Sequence, residues 1–117
     1  MVRNSTFTDF FPGGAAPTTA GFSEHIYGEG IPAGGQVVIE NNVFGATKGR
    51  NNAIDFDASQ PGAVVQILDN VFGGGGEDAI ELTADAHVEG NVFTHFHKDT
   101  YNTGVGYVSA VSIGAGR

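Results

Sequence analysis

The sequence predicts an all-β fold, a short solenoid of parallel strands wound into about four coils, as one domain over residues 1–117. Two short phrases that recur in alternation predict it, together with glycine-rich stretches of variable length between them. The first phrase is Asn-Val-Phe, at Asn42-Val43-Phe44, Asn70-Val71-Phe72 and Asn91-Val92-Phe93, in steps of 28 and 21 residues. A weaker copy, Ser5-Thr6-Phe7, precedes them, and an aliphatic residue (Val2, Ile39, Ile67, Val88) stands three positions before each copy. The second phrase is 52-NAIDFDA-58, 78-DAIELTA-84 and 109-SAVSIGA-115, with 24-EHIYGEG-30 as a divergent first copy.

Each phrase is short and rich in Val, Ile and Phe, as strands are. In the second, Ile54 and Phe56, Ile80 and Leu82, and Val111 and Ile113 share one face, while Asp55, Asp57, Glu81 and Thr83 share the other. Such a unit cannot bury its apolar face alone. Stacking strand on equivalent strand, about 4.8 Å apart, buries a continuous core. Asn42, Asn70 and Asn91 then form a column whose amides bond from coil to coil, with the phenylalanines stacked inside. Asparagine also tolerates the left-handed backbone of a tight bend, so these three are expected to occupy the bends themselves.

Composition narrows function. The chain has 117 residues, 13 acids against 5 bases, a net charge of -8, and 19 glycines. Nucleic acid needs a basic footprint, and anionic lipid is disfavoured for the same reason. With no cysteine there are neither disulfides nor thiolate metal sites. No apolar run is long enough to span a membrane, and Met1-Val2-Arg3 opens straight into polar sequence without the look of a signal peptide. Cations and hydroxyl-rich ligands remain open.

The run 70-NVFGGGGEDAIEL-82 raises the phosphate-loop question. A Walker-type loop needs a lysine followed by Ser or Thr after its glycines, whereas Gly73–Gly76 are followed by Glu77 and Asp78. A compact corner between strands is the better reading.

The register sets Asp55 over Glu81 and Glu29 over Asp57, with Glu24, Asn52 and Asp78 in a column at the preceding corner and Glu77 beside it. Opposed like charges on a ladder are unfavourable. Water, Arg50 or a bound cation can offset them. The plain reading is a solvated acidic face. Calcium held by Glu77, Asp78, Glu81 and Asp55 is the sharper one, since calcium favours clustered carboxylates and carbonyls. Asp55, Asp57, Glu81 and Tyr27 are the candidate ligand-binding residues of that face. His95 and His97, two apart, would share a face of an extended segment with Asp99 and could chelate a transition metal, though a surface loop is the simpler reading. His25 and His87 read as ordinary surface or groove residues. Tyr101 and Tyr107, like Tyr27, could stack on sugars.

On the asparagine column and the aliphatic stacks, the chain resembles the right-handed parallel β-helix proteins of the pectate-lyase-like superfamily. The runs 24–30, 38–58 and 77–98 resemble the central coils of large secreted members, and the likeness extends over residues 2–115. The resemblance implies right-handed winding and an extracellular or cell-surface location. It strengthens the calcium reading, because polysaccharide lyases of this fold commonly use calcium. Such proteins usually have more coils and protective caps, whereas here the pattern starts and stops midway, as in a fragment. Uncapped ends imply self-association through exposed edges. The leading function is therefore a non-catalytic structural or binding module for carbohydrate or a cation. The alternative is a calcium-dependent lyase or hydrolase of acidic polysaccharide, with Arg50 as its catalytic candidate ahead of Lys48, His95, His97 and Lys98.

Overall fold

The computed structural model describes residues 1–8, 24–98, 102 and 108–114. Among the described residues the regular elements are strands, with no helix, three to a coil. The first coil holds β1 (Val2–Arg3), β2 (Thr6–Phe7) and β3 (Ile26–Glu29). The second holds β4 (Gln36–Glu40), β5 (Val43–Phe44) and β6 (Ile54–Asp57). The third holds β7 (Val64–Leu68), β8 (Val71–Phe72) and β9 (Ile80–Leu82), and the fourth β10 (Asp85–Glu89), β11 (Val92–Phe93) and β12 (Val111–Ile113). Equivalent strands pair in parallel into three four-stranded sheets, ordered β1-β4-β7-β10, β2-β5-β8-β11 and β3-β6-β9-β12. This is a parallel β-helix of four coils.

The register follows the repeat. Val2, Ile39, Ile67 and Val88 stand in one column, and Ile26, Ile54, Ile80 and Val111 in another. Phe7, Phe44, Phe72 and Phe93 stack face over face at 4.8, 4.7 and 4.9 Å. That spacing is the coil rise itself. Each stacked pair contributes about 0.5–1.5 kcal/mol beyond the area it buries. Phe44 and Phe72 are buried completely, as are Ile39, Ile54, Ile67, Ile80 and Leu82, so the dry core belongs to the two middle coils. Strands of the outer coils have one sheet neighbour each among the described residues.

The asparagine column is bonded as expected. Asn70 Oδ1 accepts the backbone N–H of Asn42 at 2.8 Å and its amide Nδ2 at 3.0 Å. Asn91 Oδ1 accepts the same pair from Asn70, at 2.8 and 3.0 Å. The free amide hydrogen of each asparagine goes to a carbonyl of the preceding coil: Asn42 to Val2, Asn70 to Ile39, Asn91 to Ile67. The bend itself lies one residue earlier than expected. Asn4, Asn41, Asp69 and Gly90 carry the left-handed backbone, at φ of 55°, 56°, 56° and 71°. A left-handed residue turns the chain and exposes its own side chain. The next residue then points inward, where an amide can serve three or four partners. The two asparagine roles are thus split between neighbours.

Asn70→Ala removes bonds on both sides of a fully buried amide and orphans an N–H of the coil above. It is expected to cost about 3 kcal/mol in denaturant unfolding. Asn91→Ala, at the partly exposed end of the column, is expected to cost less than half as much. Equal costs at both positions would remove the column from the stability argument.

Candidate functional site

The acidic face lies on the outer side of the sheet β3-β6-β9-β12. The register sets Tyr27, Asp55, Glu81 and Ser112 side by side, and Glu29 beside Asp57. Strand alternation explains the placement: Ile54 and Phe56 turn inward, so Asp55 between them turns out. It does not reach open water, however. Asp55 is only 9% exposed, and its Oδ1 has no hydrogen-bond partner. Burial pushes its carboxyl up to about 7, with the charges of Asp57, Glu81 and Glu24 adding to the effect and an Asn52 hydrogen bond opposing it. At neutral pH Asp55 therefore holds a proton much of the time. Asn52 donates Nδ2 to Glu81 Oε2 at 2.8 Å, which leaves its own buried Oδ1 without a donor. The solvated face expected at this position is corrected: its central acid is buried and part-neutralised. Tyr27 is half exposed and donates to Glu29 Oε2 at 3.3 Å.

At the corner before this sheet, the acids are committed to the fold. Asp78 is buried, and its Oδ1 accepts the Ser109 N–H at 2.6 Å, joining the third coil to the fourth. Glu77 Oε2 accepts from Asn102 Nδ2 at 3.2 Å, and the same amide donates to Gly76 O at 2.7 Å. Burial raises the Glu77 carboxyl, and Asp78 and Glu81 add to this, while Arg50 and Asn102 oppose it. Arg50 is exposed, and its charge is felt at this corner.

The expected calcium set of Glu77, Asp78, Glu81 and Asp55 is not assembled. Among the described residues no three histidine or acid side chains converge to hold a metal ion. Asp78 Oδ1 accepts from Ser109, Glu77 Oε2 from Asn102 and Glu81 Oε2 from Asn52, so one oxygen of each carboxylate faces a donor of a neighbouring coil.

The glycine run forms a corner, and beside it lies a cleft of about 320 Å³ that the sequence reading did not anticipate. Thr47, Lys48, Gly74, Gly75, His95 and His97 are among the residues lining it. The phenylalanine register extended past the strands explains this grouping. Phe44 lies over Phe72 and Phe72 over Phe93, so Thr47, Gly75 and Phe96 fall in one column, and Gly75 indeed bridges Phe96. Lys48, Gly76 and His97 fall in the next column. The middle coil has no side chains there, while the coils on either side do. Thr47 N–H donates to Gly74 O at 3.1 Å and His97 N–H to Gly75 O at 3.0 Å, which holds the walls at ladder spacing. A Cβ on Gly75 would strike Thr47 Oγ1 and the Phe96 ring.

His95 and His97 both line this cleft, though not by sharing the face of an extended segment. His95 has a left-handed backbone with φ of 62°, and His97 Nδ1 lies 3.3 Å from His95 O. Asp99, Tyr101 and Tyr107 lie outside the described residues. His25 and His87 have structural settings: His25 Nε2 meets Gly45 O at 3.0 Å beside the Phe7 and Phe44 rings, and His87 Nε2 meets Glu89 Oε2 at 2.7 Å.

The raised Asp55 carboxyl fixes the sign of a pH effect. Its folded value of about 7 lies above its unfolded value of 3.8, so its contribution is most favourable below the unfolded value and is lost as pH rises towards 7. Asp55→Asn, permanently neutral, should match the wild-type chain near pH 4 and exceed it in stability by on the order of 2 kcal/mol at pH 8. Parallel urea titrations across that range measure the gap, and a gap independent of pH would contradict it.

Comparison with protein-family models, curated proteins and solved structures finds no match to this chain.

Proposed function

We propose that the chain is a non-catalytic structural module that stacks end to end on further copies of itself. The observation that carries this reading is the match between its two ends. In the sheet β1-β4-β7-β10, Arg3, Glu40, Leu68 and Glu89 stand in one column. Arg3 pairs with Glu40 at 3.1 Å, and Glu89 occupies the equivalent place at the far end. A second copy set one coil beyond β10 brings its Arg3 over Glu89, its Phe7 over Phe93 and its Ile26 over Val111. All three ladders and the phenylalanine stack then continue without a change of register.

Strand hydrogen bonds and the covering of half-buried Phe93, Val88 and Val111 supply the attraction. The Arg3–Glu89 pair selects register more than it adds affinity, since exposed ion pairs are worth about 0–1 kcal/mol. Such a contact is head to tail and does not close on itself, so it gives open filaments rather than a fixed oligomer. The net charge of -8 opposes it at low ionic strength. Carbohydrate carried on the acidic face, with Tyr27 as stacking group and Glu29, Asp57 and Glu81 as hydroxyl acceptors, is compatible with this role.

A second reading, hydrolysis or elimination on acidic polysaccharide, has one observation in its favour. Burial pushes the Asp55 carboxyl up to about 7, and its ladder neighbour on the same outer face is a second carboxylate residue, Glu81. Depolymerisation of pectate or alginate by the purified chain, lost in Asp55→Asn, would establish it. Arg50 has no comparable support.

Light scattering coupled to size exclusion tests the stacking reading. The weight-average mass should rise with concentration and with salt, and Glu89→Arg, which sets like charges together across the junction, should lower it. A constant monomer mass from micromolar to millimolar chain excludes the reading.

A further inference from the structure

We infer that the cleft beside the glycine corner is a binding site for a single sugar-sized ligand bearing an oxyanion, such as a carboxylate. Four observations converge. Its volume of about 320 Å³ lies at the lower end of small-molecule sites, room for one sugar ring. Among the described residues, its lining contains Lys48, His95 and His97 and no carboxylate, on a chain whose acids outnumber its lysines and arginines 13 to 5. Thr47, another lining residue, is 2% exposed, and its hydroxyl Oγ1 has no hydrogen-bond partner. Buried hydroxyls without partners are rare and mark places where a group is missing or the chain is held under constraint. Lastly, His95 keeps a left-handed backbone that costs a non-glycine residue roughly 1–2 kcal/mol, a kind of strain that clusters at binding sites.

The parts have distinct roles. The lysine ammonium supplies charge to the oxyanion. Contact between His97 Nδ1 and the His95 carbonyl requires a proton on Nδ1, since a carbonyl only accepts. The other ring nitrogen, Nε2, is then the one left to meet a ligand, as acceptor from a hydroxyl or, once protonated, as donor to the anion. Gly73, Gly74 and Gly75 line the cleft with backbone, and the positions their Cβ atoms would take are filled at Gly74 by His95 and at Gly75 by Thr47 and Phe96. A metal ion suits this lining poorly, because an ammonium shares it with the two histidines. None of the acids of the β3-β6-β9-β12 sheet is among the described residues lining the site, and it does not depend on stacking between copies.

Amide NMR of the full chain tests it, with glucuronate as the probe and glucose as its uncharged counterpart. Glucuronate should shift the Gly74, Gly75, His95 and His97 amides saturably, and glucose should not. Lys48→Gln should weaken glucuronate on the order of tenfold while leaving the remaining amide spectrum in place, which shows that the variant is folded. A Thr47→Val variant, nearly isosteric, should weaken it less. Absence of saturable shifts, equal shifts with glucose, or unchanged affinity in Lys48→Gln would each overturn the inference. So would zinc ions perturbing these amides where glucuronate does not.

Discussion

The column of buried amides through Asn42, Asn70 and Asn91 is the constraint on which the other contacts depend. A parallel ladder can slip by one residue, and a slip of one turns every inward side chain outward. Hydrophobic columns alone resist a slip of one but not a slip of two. The amides resist both, because Asn70 accepts the backbone N–H and amide of Asn42 and donates to the Ile39 carbonyl in the preceding coil, while giving its own N–H and amide to Asn91 in the next. A slip of any size strands these groups in a dry interior, at about 1–3 kcal/mol for each. With the register held, the phenylalanines meet face to face and the aliphatic columns close around them.

The same fixed register explains the electrostatics. Strands of equal phase bring Asp55 beside Glu81 and Glu29 beside Asp57, whether or not the charges agree. The fold relieves the conflict by local means. Asp55 takes up a proton more readily, Asn52 donates to Glu81, and Asp78 and Glu77 accept from the neighbouring coil. Acids that look like a cation site in the sequence are therefore mostly ladder acceptors. Beside them, at the glycine corner, the absence of side chains in one coil leaves a trough between the lysine and histidine side chains of its neighbours.

Much of the fold was legible because it rests on properties of the repeat itself. The columns of aliphatic residues, the phenylalanine stack and the pairing of Asp55 with Glu81 all follow from aligning the phrases. The bend was placed one residue late, at Asn42 rather than Asn41, because both neighbours are asparagine and residue type alone does not distinguish their roles. The burial of Asp55 was not legible, since strand alternation places a residue on the outer face without saying how far its neighbours cover it. The calcium set failed for a related reason: sequence proximity of acids says nothing of which donors they face. The cleft could have been found by carrying the alignment past Phe44, Phe72 and Phe93 into the corners. Doing so sets Lys48, Gly76 and His97 in line. Strand alternation stops at the corners, and with it the signal that identified the rest.

Native-state hydrogen exchange at the backbone amides of Asn42 and Asn70 tests the central claim most directly. Both N–H groups donate to a buried side-chain oxygen of the next coil. If the column holds the register, they should exchange only through global unfolding, with the protection of Ile39 and Ile67 at the centre of the core. Exchange at both positions by local opening, much faster than at Ile39 and Ile67, would mean that the column opens independently of the core, and the account built on it would not stand.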